Sequence, residues 1–110
     1  MQTEVAREEQ HRPRLGSSYD ASAVPVGQVM QVNTRNSAYY FVFTDERRIN
    51  RTEITGVSVT TTNKGIAVGA PASVRVDRVI RRGQSLRFGA GRGTTTSDVV
   101  SVYVAGRQVV

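Results

Sequence analysis

Five arginines fall within thirteen residues, at Arg75, Arg78, Arg81, Arg82 and Arg87. A guanidinium is a planar fork of donors that matches the oxygens of a phosphate or carboxylate, so clustered arginines are suited to recognising an anion. Arg75 and Arg87 occupy outward positions of two short strand patterns, and Arg81 and Arg82 sit in the turn between them. The segment therefore reads as one basic stripe, a candidate contact surface for nucleic acid or for an acidic protein. Small barrels that hold single strands combine such charge with aromatic stacking. Tyr39, Phe41, Phe43 and Phe88 read as core, which leaves Tyr40 and Tyr103 as the strand aromatics able to stack.

Other chemistry finds less support. Gly89-Ala90-Gly91-Arg92-Gly93 is glycine-rich like a phosphate loop. A phosphate loop, however, needs a helix start and a Lys-Ser/Thr pair after the glycines, and here a strand pattern follows. The carboxylates from residue 24 onward are Asp45, Glu46, Glu53, Asp77 and Asp98, interleaved with arginine and valine rather than converging on a cleft. His11, the one histidine, lies in the polar N-terminal stretch, and cysteine is absent. A Ser–His or Cys–His nucleophile, a thiolate metal site and a disulfide framework are thereby excluded, and neither metal nor cofactor is expected.

The elements that position these groups have a period of two. From Ala21 onward the chain carries eleven Arg and one Lys against five acids, inside a β-pattern sequence. Strand patterns run over Val26–Asn33, Ala38–Thr44, Ile54–Thr62, Ile66–Ala70, Ser73–Ile80, Ser85–Phe88 and Thr94–Val104, with an edge stub at Gln108–Val110. The punctuation is turn-like: Thr34-Arg35-Asn36-Ser37, the charged run Asp45–Thr52, Asn63-Lys64-Gly65, Arg81–Gln84 and the glycine loop. Tyr39, Phe41 and Phe43 share one face of their strand, and Ala38, Tyr40 and Val42 the other. Both faces are apolar, so that strand is expected to be central and covered on both sides. Val100, Val102 and Val104 are expected to share one face of the last strand. The pattern predicts an all-β domain, a six- to seven-stranded antiparallel barrel or sandwich over residues 24–110. Residues 1–23, polar and charged, are expected to form a disordered tail.

Thr34-Arg35-Asn36-Ser37-Ala38-Tyr39 and Thr96-Ser97-Asp98-Val99 resemble segments of small, uncharacterised bacterial all-β proteins, over ten of the 110 residues. That resemblance brings no activity with it.

No run approaches the ~20 apolar residues that a membrane helix needs. The N-terminus has no apolar core of a secretory signal, so the expected location is cytoplasmic, although a secreted chain trimmed of its signal would read the same. The functional expectation is a non-enzymatic binding or assembly module with a basic surface. The alternative is a nucleic-acid-binding small β-barrel using the arginine stripe, and carboxylate-based enzymatic chemistry is the remote third. Unpaired edges at Ile66–Ala70 and Gln108–Val110 make homo-oligomerisation a further expectation, the C-terminal valines being either covered by a neighbour or tucked into the sheet.

Overall fold

The computed structural model describes residues 15–61, 67–68, 74–89 and 93–110. The expected Asn63-Lys64-Gly65 turn, Pro71, the middle of the glycine loop and residues 1–14 lie outside the described residues.

Ten strands and one 3-10 turn make up the described secondary structure. These are β1 (Ser18–Asp20), the turn Ala21–Ala23, β2 (Val29–Thr34), β3 (Ala38–Ile49), β4 (Glu53–Thr61), β5 (Ala67–Val68), β6 (Val74–Asp77), β7 (Val79–Arg81), β8 (Ser85–Gly89), β9 (Thr94–Val104) and β10 (Arg107–Gln108). The fold is all-β and antiparallel. The main sheet runs β10-β9-β2-β3-β4-β6-β8, with β5 beside β4. Its last member, β8, pairs back onto β9. Six strands thus form a closed circuit, β2-β3-β4-β6-β8-β9, in sequence order. An even number of antiparallel strands can close this way without a parallel junction. β1 and β7 form a separate two-stranded sheet.

Inward positions supply the core. Met30 and Val32 from β2, Phe41 and Phe43 from β3, Val74 and Val76 from β6, and Leu86 and Phe88 from β8 are all buried at two-residue spacing. Phe88 meets the Tyr39 ring at 5.2 Å and the Phe41 ring edge-on at 5.5 Å. Edge-to-face contact of this kind suits the ring quadrupoles.

The alternation breaks where the strands bulge. On β4, Ile54 is buried and so are Val57 and Val59, an odd step that coincides with a register shift between Ile54 and Val57. Gly56 carries that shift at φ +75°, and a Cβ there would meet the Arg47 backbone at 2.5 Å. β9 changes phase twice, and its inward residues are Thr96, Val99 and Val102. Val100 is half-exposed and Val104 only partly buried, so the expected Val100–Val102–Val104 face does not form. The cause is a bulge in β9 opposite Asn33 and Thr34.

Several expected boundaries shift. β2 begins at Val29, because Pro25 and a positive-φ Gly27 precede it, and Val26 and Gln28 are exposed. β3 runs on through most of the charged stretch to Ile49, and the turn shortens to residues 50–52. β3 is covered on its inner face only, for Ala38, Tyr40 and Val42 are half-buried.

The described part of the expected 1–23 tail, residues 15–23, needs the largest correction. Ser18–Asp20 pairs with Val79–Arg81, the Gly16 amide donates to the Val109 carbonyl at 3.0 Å, and Ala21 and Val24 are fully buried. Residues 16–24 therefore belong to the domain, strapped across the end of the circuit where β3, β6 and β9 finish. The sequence hides this because the segment pairs with only three residues of a short strand and buries only two small side chains. At the other terminus Val110 is buried and exchanges backbone hydrogen bonds with Val102, whose carbonyl also accepts from the Val109 amide, so the C-terminal edge is tucked into its own sheet.

Two substitutions test this packing. Phe41→Ala should cost about 3–5 kcal/mol, read as a lowered urea midpoint. Gly56→Ala should cost more than about 2 kcal/mol, because both its φ and the Arg47 backbone oppose a methyl group. Gly83→Ala, at φ +83° with open space around it, should cost only about 1 kcal/mol. Equal losses at the two glycines would contradict the close approach of β3 and β4.

Candidate binding surfaces

The five stripe arginines do not share one environment. Arg75, on β6, has its Nε 3.5 Å from Glu53 Oε2. Arg87, on β8, has its Nε 3.9 Å from Asp77 Oδ1, and its backbone N–H donates to Asp77 Oδ2 at 2.9 Å. Register explains both pairs: Glu53 opposes Asp77 across β4 and β6, and the Val76–Phe88 pairing sets Asp77 beside Arg87. Two facing carboxylates repel, and an arginine on either flank offsets this. Together they line a groove of about 360 Å³ with Thr52 and Phe88, and its walls carry both signs of charge.

Arg78 is bound to the N-terminal segment. Its Nε donates to both Asp20 oxygens at 3.2 Å, and its Nη1 to the Asn50 carbonyl at 3.2 Å. Arg81 and Arg82 remain. Their backbones are held, Arg81 opposite Ser18 and the Arg82 amide on the Ser17 carbonyl, while their side chains are exposed and form no ion pair among the described residues. The structure thus brings Arg75 and Arg87 together with acids, ties Arg78 to the N-terminal strap, and leaves Arg81 and Arg82 as the freely presented pair.

Tyr40 and Tyr103 stand elsewhere. Gln31 of β2 faces Tyr40 on one side and Tyr103 on the other, and the row extends to Thr60 on β4 and Gln108 on β10. On the same outer surface lie the rows Ser101–Asn33–Ala38 and Val29–Val42–Ser58. None of these residues is charged. The polar ones bind one another: Gln31 Nε2 donates to Asn33 Oδ1 at 2.9 Å, and Asn33 Nδ2 to Ser101 Oγ at 3.0 Å. Val29 is 41% exposed. In the six-strand circuit β2, the centre of this face, lies opposite β6, which carries Arg75. Arginines and tyrosines are therefore separated rather than combined into one charged and stacking groove.

Sequence reasoning passed over this face because it looked for groups that carry charge. A signal exists nonetheless. From Ala21 to Thr44 the only charged residue is Arg35, and residues 99–106 carry none.

The pairing of Arg78 with Asp20 has a measurable consequence. Hydrogen bonds from Arg78 and then from Ser22 hold the Asp20 carboxyl down to about 2, from the ordinary 3.8. A lowered folded-state pKa stabilises the fold above the unfolded value, and the gain is lost as pH falls from about 4 towards 2. Asp20 is exposed, so solvent screening should limit the effect to less than about 1 kcal/mol. Asp20→Asn should therefore lower the urea midpoint slightly at neutral pH and flatten its dependence between those pH values. Identical pH profiles for the two proteins would show that the pair contributes nothing to holding the strap.

No protein-family model, curated protein or solved structure matches this chain.

Proposed function

We propose that the protein is a non-enzymatic binding or assembly module that engages its partner over the uncharged outer face of β9, β2 and β3. The observation that carries this is the segregation of charge. Glu53, Arg75, Asp77 and Arg87 crowd the β4–β6–β8 side, while a row of Gln108, Tyr103, Gln31, Tyr40 and Thr60 crosses five strands without one ionised group. Contact surfaces are enriched in tyrosine and depleted in lysine, aspartate and glutamate, because an ion is expensive to strip of water. The amide groups of Gln31 and Asn33 are already engaged with neighbours, which lowers the cost of covering them. Glu53 and Asp77 are each held by an arginine, which favours a structural over a catalytic role for these acids.

A photoreactive residue at position 31 should capture a protein partner in cells, and the same residue at position 87 should not. Capture from position 87 alone would reverse the reading.

The free pair Arg81 and Arg82 favours a second reading, in which an anion such as a nucleic-acid backbone docks on the β7–β8 turn. If so, Arg81→Ala with Arg82→Ala should weaken oligonucleotide binding about equally for all sequences and lower the salt slope by about two. Absence of binding by the unaltered protein at low salt would dispose of it.

A further inference from the structure

We infer that the partner on the uncharged face is a second copy of this chain, packed sheet against sheet about a two-fold axis parallel to β2. The inference rests on reading that face as a contact surface, and four observations select a second copy as its occupant.

The first is charge. The chain carries a formal net charge of +6. Two like-charged copies repel, and a contact through the β6–β8 side would also strip water from the charged Glu53, Arg75, Asp77 and Arg87 groups. The outer face of β9, β2 and β3 lets the copies meet with Arg75 and Arg87 on the β6 and β8 side of each circuit. An acidic protein or a nucleic acid, by contrast, would gain nothing from a face without cations.

The second is symmetry. Tyr40 and Tyr103 flank Gln31 on strands that both run antiparallel to β2. Rotation by a half-turn about an axis along β2 exchanges the β3 and β9 sides. It sets Tyr40 of each copy over Tyr103 of the other, with the two Gln31 side chains at the centre. One patch thereby matches itself, as an isologous interface requires. Tyrosine suits this position, having a broad apolar ring with a polar tip.

The third is solvation. Gln31, Asn33 and Ser101 form a continuous hydrogen-bonded chain within the face, and Val29 exposes an apolar side chain beside it. Covering such a surface removes apolar area from water while leaving few amide groups unpaired.

The fourth is size. Four strands ~4.8 Å apart, with outward residues every ~6.8 Å, give a patch roughly 15–20 Å on a side. That is roughly 200–400 Å² per copy, below the ~1,200 Å² total of a standard specific interface, so the dimer is expected to be weak and transient, with a dissociation constant in the high micromolar range.

Sedimentation of the full chain from micromolar to millimolar concentration should show a monomer–dimer equilibrium. Raised salt should leave it unchanged or tighten it, because salt screens the repulsion between the two net charges. An arginine-mediated contact would loosen instead. Gln31→Arg places two cations together at the axis and should raise the dissociation constant about a hundredfold or more, with an unchanged urea midpoint. Arg87→Ala should leave the dimer intact. The chain lacks cysteine, so Tyr40→Cys and Tyr103→Cys variants each hold one thiol. Mixed and oxidised, they should form the 40–103 product in preference to either symmetric one. A chain that stays monomeric at millimolar concentration overturns the inference, as does a dimer indifferent to Gln31→Arg or cross-linked 40 to 40. Capture of a different protein from position 31 by a monomeric chain would sink the dimer alone. No capture at all would sink the contact face with it.

Discussion

The fold depends on β9 serving three neighbours. Its first half pairs with β8, its second half with β2, and its end with β10 on the edge that β8 has left. A flat strand could not reach both ends of the meander, so the closed circuit requires β9 to bend. Bulges supply bends and interrupt the ladder, and at two of them and at one turn a threonine hydroxyl satisfies the backbone. At the β8–β9 shift the Leu86 amide donates to Thr96 Oγ1 at 3.0 Å, and the same hydroxyl donates to the Ser97 carbonyl at 2.6 Å. At the β3–β4 shift Thr44 Oγ1 donates to the Gly56 carbonyl at 3.1 Å. At the β2–β3 turn the Thr34 hydroxyl donates to the Ser37 carbonyl and accepts from the Ser37 amide. The frequent threonines of this chain are thus more than strand formers: three of them keep backbone groups satisfied where the circuit curves.

Closure of the circuit leaves an open end, and the Gly16–Val24 strap and the C-terminal valines are spent on it. The strap from Gly16 to Val24 crosses from Val109 to Arg78, burying Ala21 and Val24 on the way. Arg78 is the junction. Its amide donates to Thr52, its carbonyl accepts from Ala21, and its side chain grips Asp20 and Asn50. Arg47 adds a second clasp, its guanidinium donating to the Val24 carbonyl and lying over the Phe43 ring. Two of the eleven arginines beyond residue 20 are therefore structural, and the net positive charge overstates what is offered to a partner.

The remaining charge is distributed by topology. A meander of six strands places sequence neighbours beside one another, so the charge-poor stretch of β2 and of β3 as far as Thr44 becomes one side. Glu53 at the start of β4 and the charged run from Arg75 to Arg87 gather on the other. β9 joins the uncharged side with its second half, which carries Ser101 and Tyr103. A surface so divided presents a contact face and a solvated face on the same small body.

The all-β class, the turn at Thr34–Ser37, the inward Val74, Val76, Leu86 and Phe88, and the outward Arg75 and Arg87 were legible from residue types, because a period of two and turn chemistry are local properties. The strap, the inward set of β9 and the fate of the arginines were not. Each depends on which strand lies opposite: Asp20 meets Arg78 across 58 positions of chain, and Asn33 meets Ser101 across 68. Residue types alone determined a basic, cysteine-free β-domain with a run of arginines. Only the tertiary structure decided that three of those arginines face carboxylates, and that Tyr40 and Tyr103 flank one glutamine on a face without charge. Pairing register is set by bulges and closure, and these bring together residues that local sequence keeps apart.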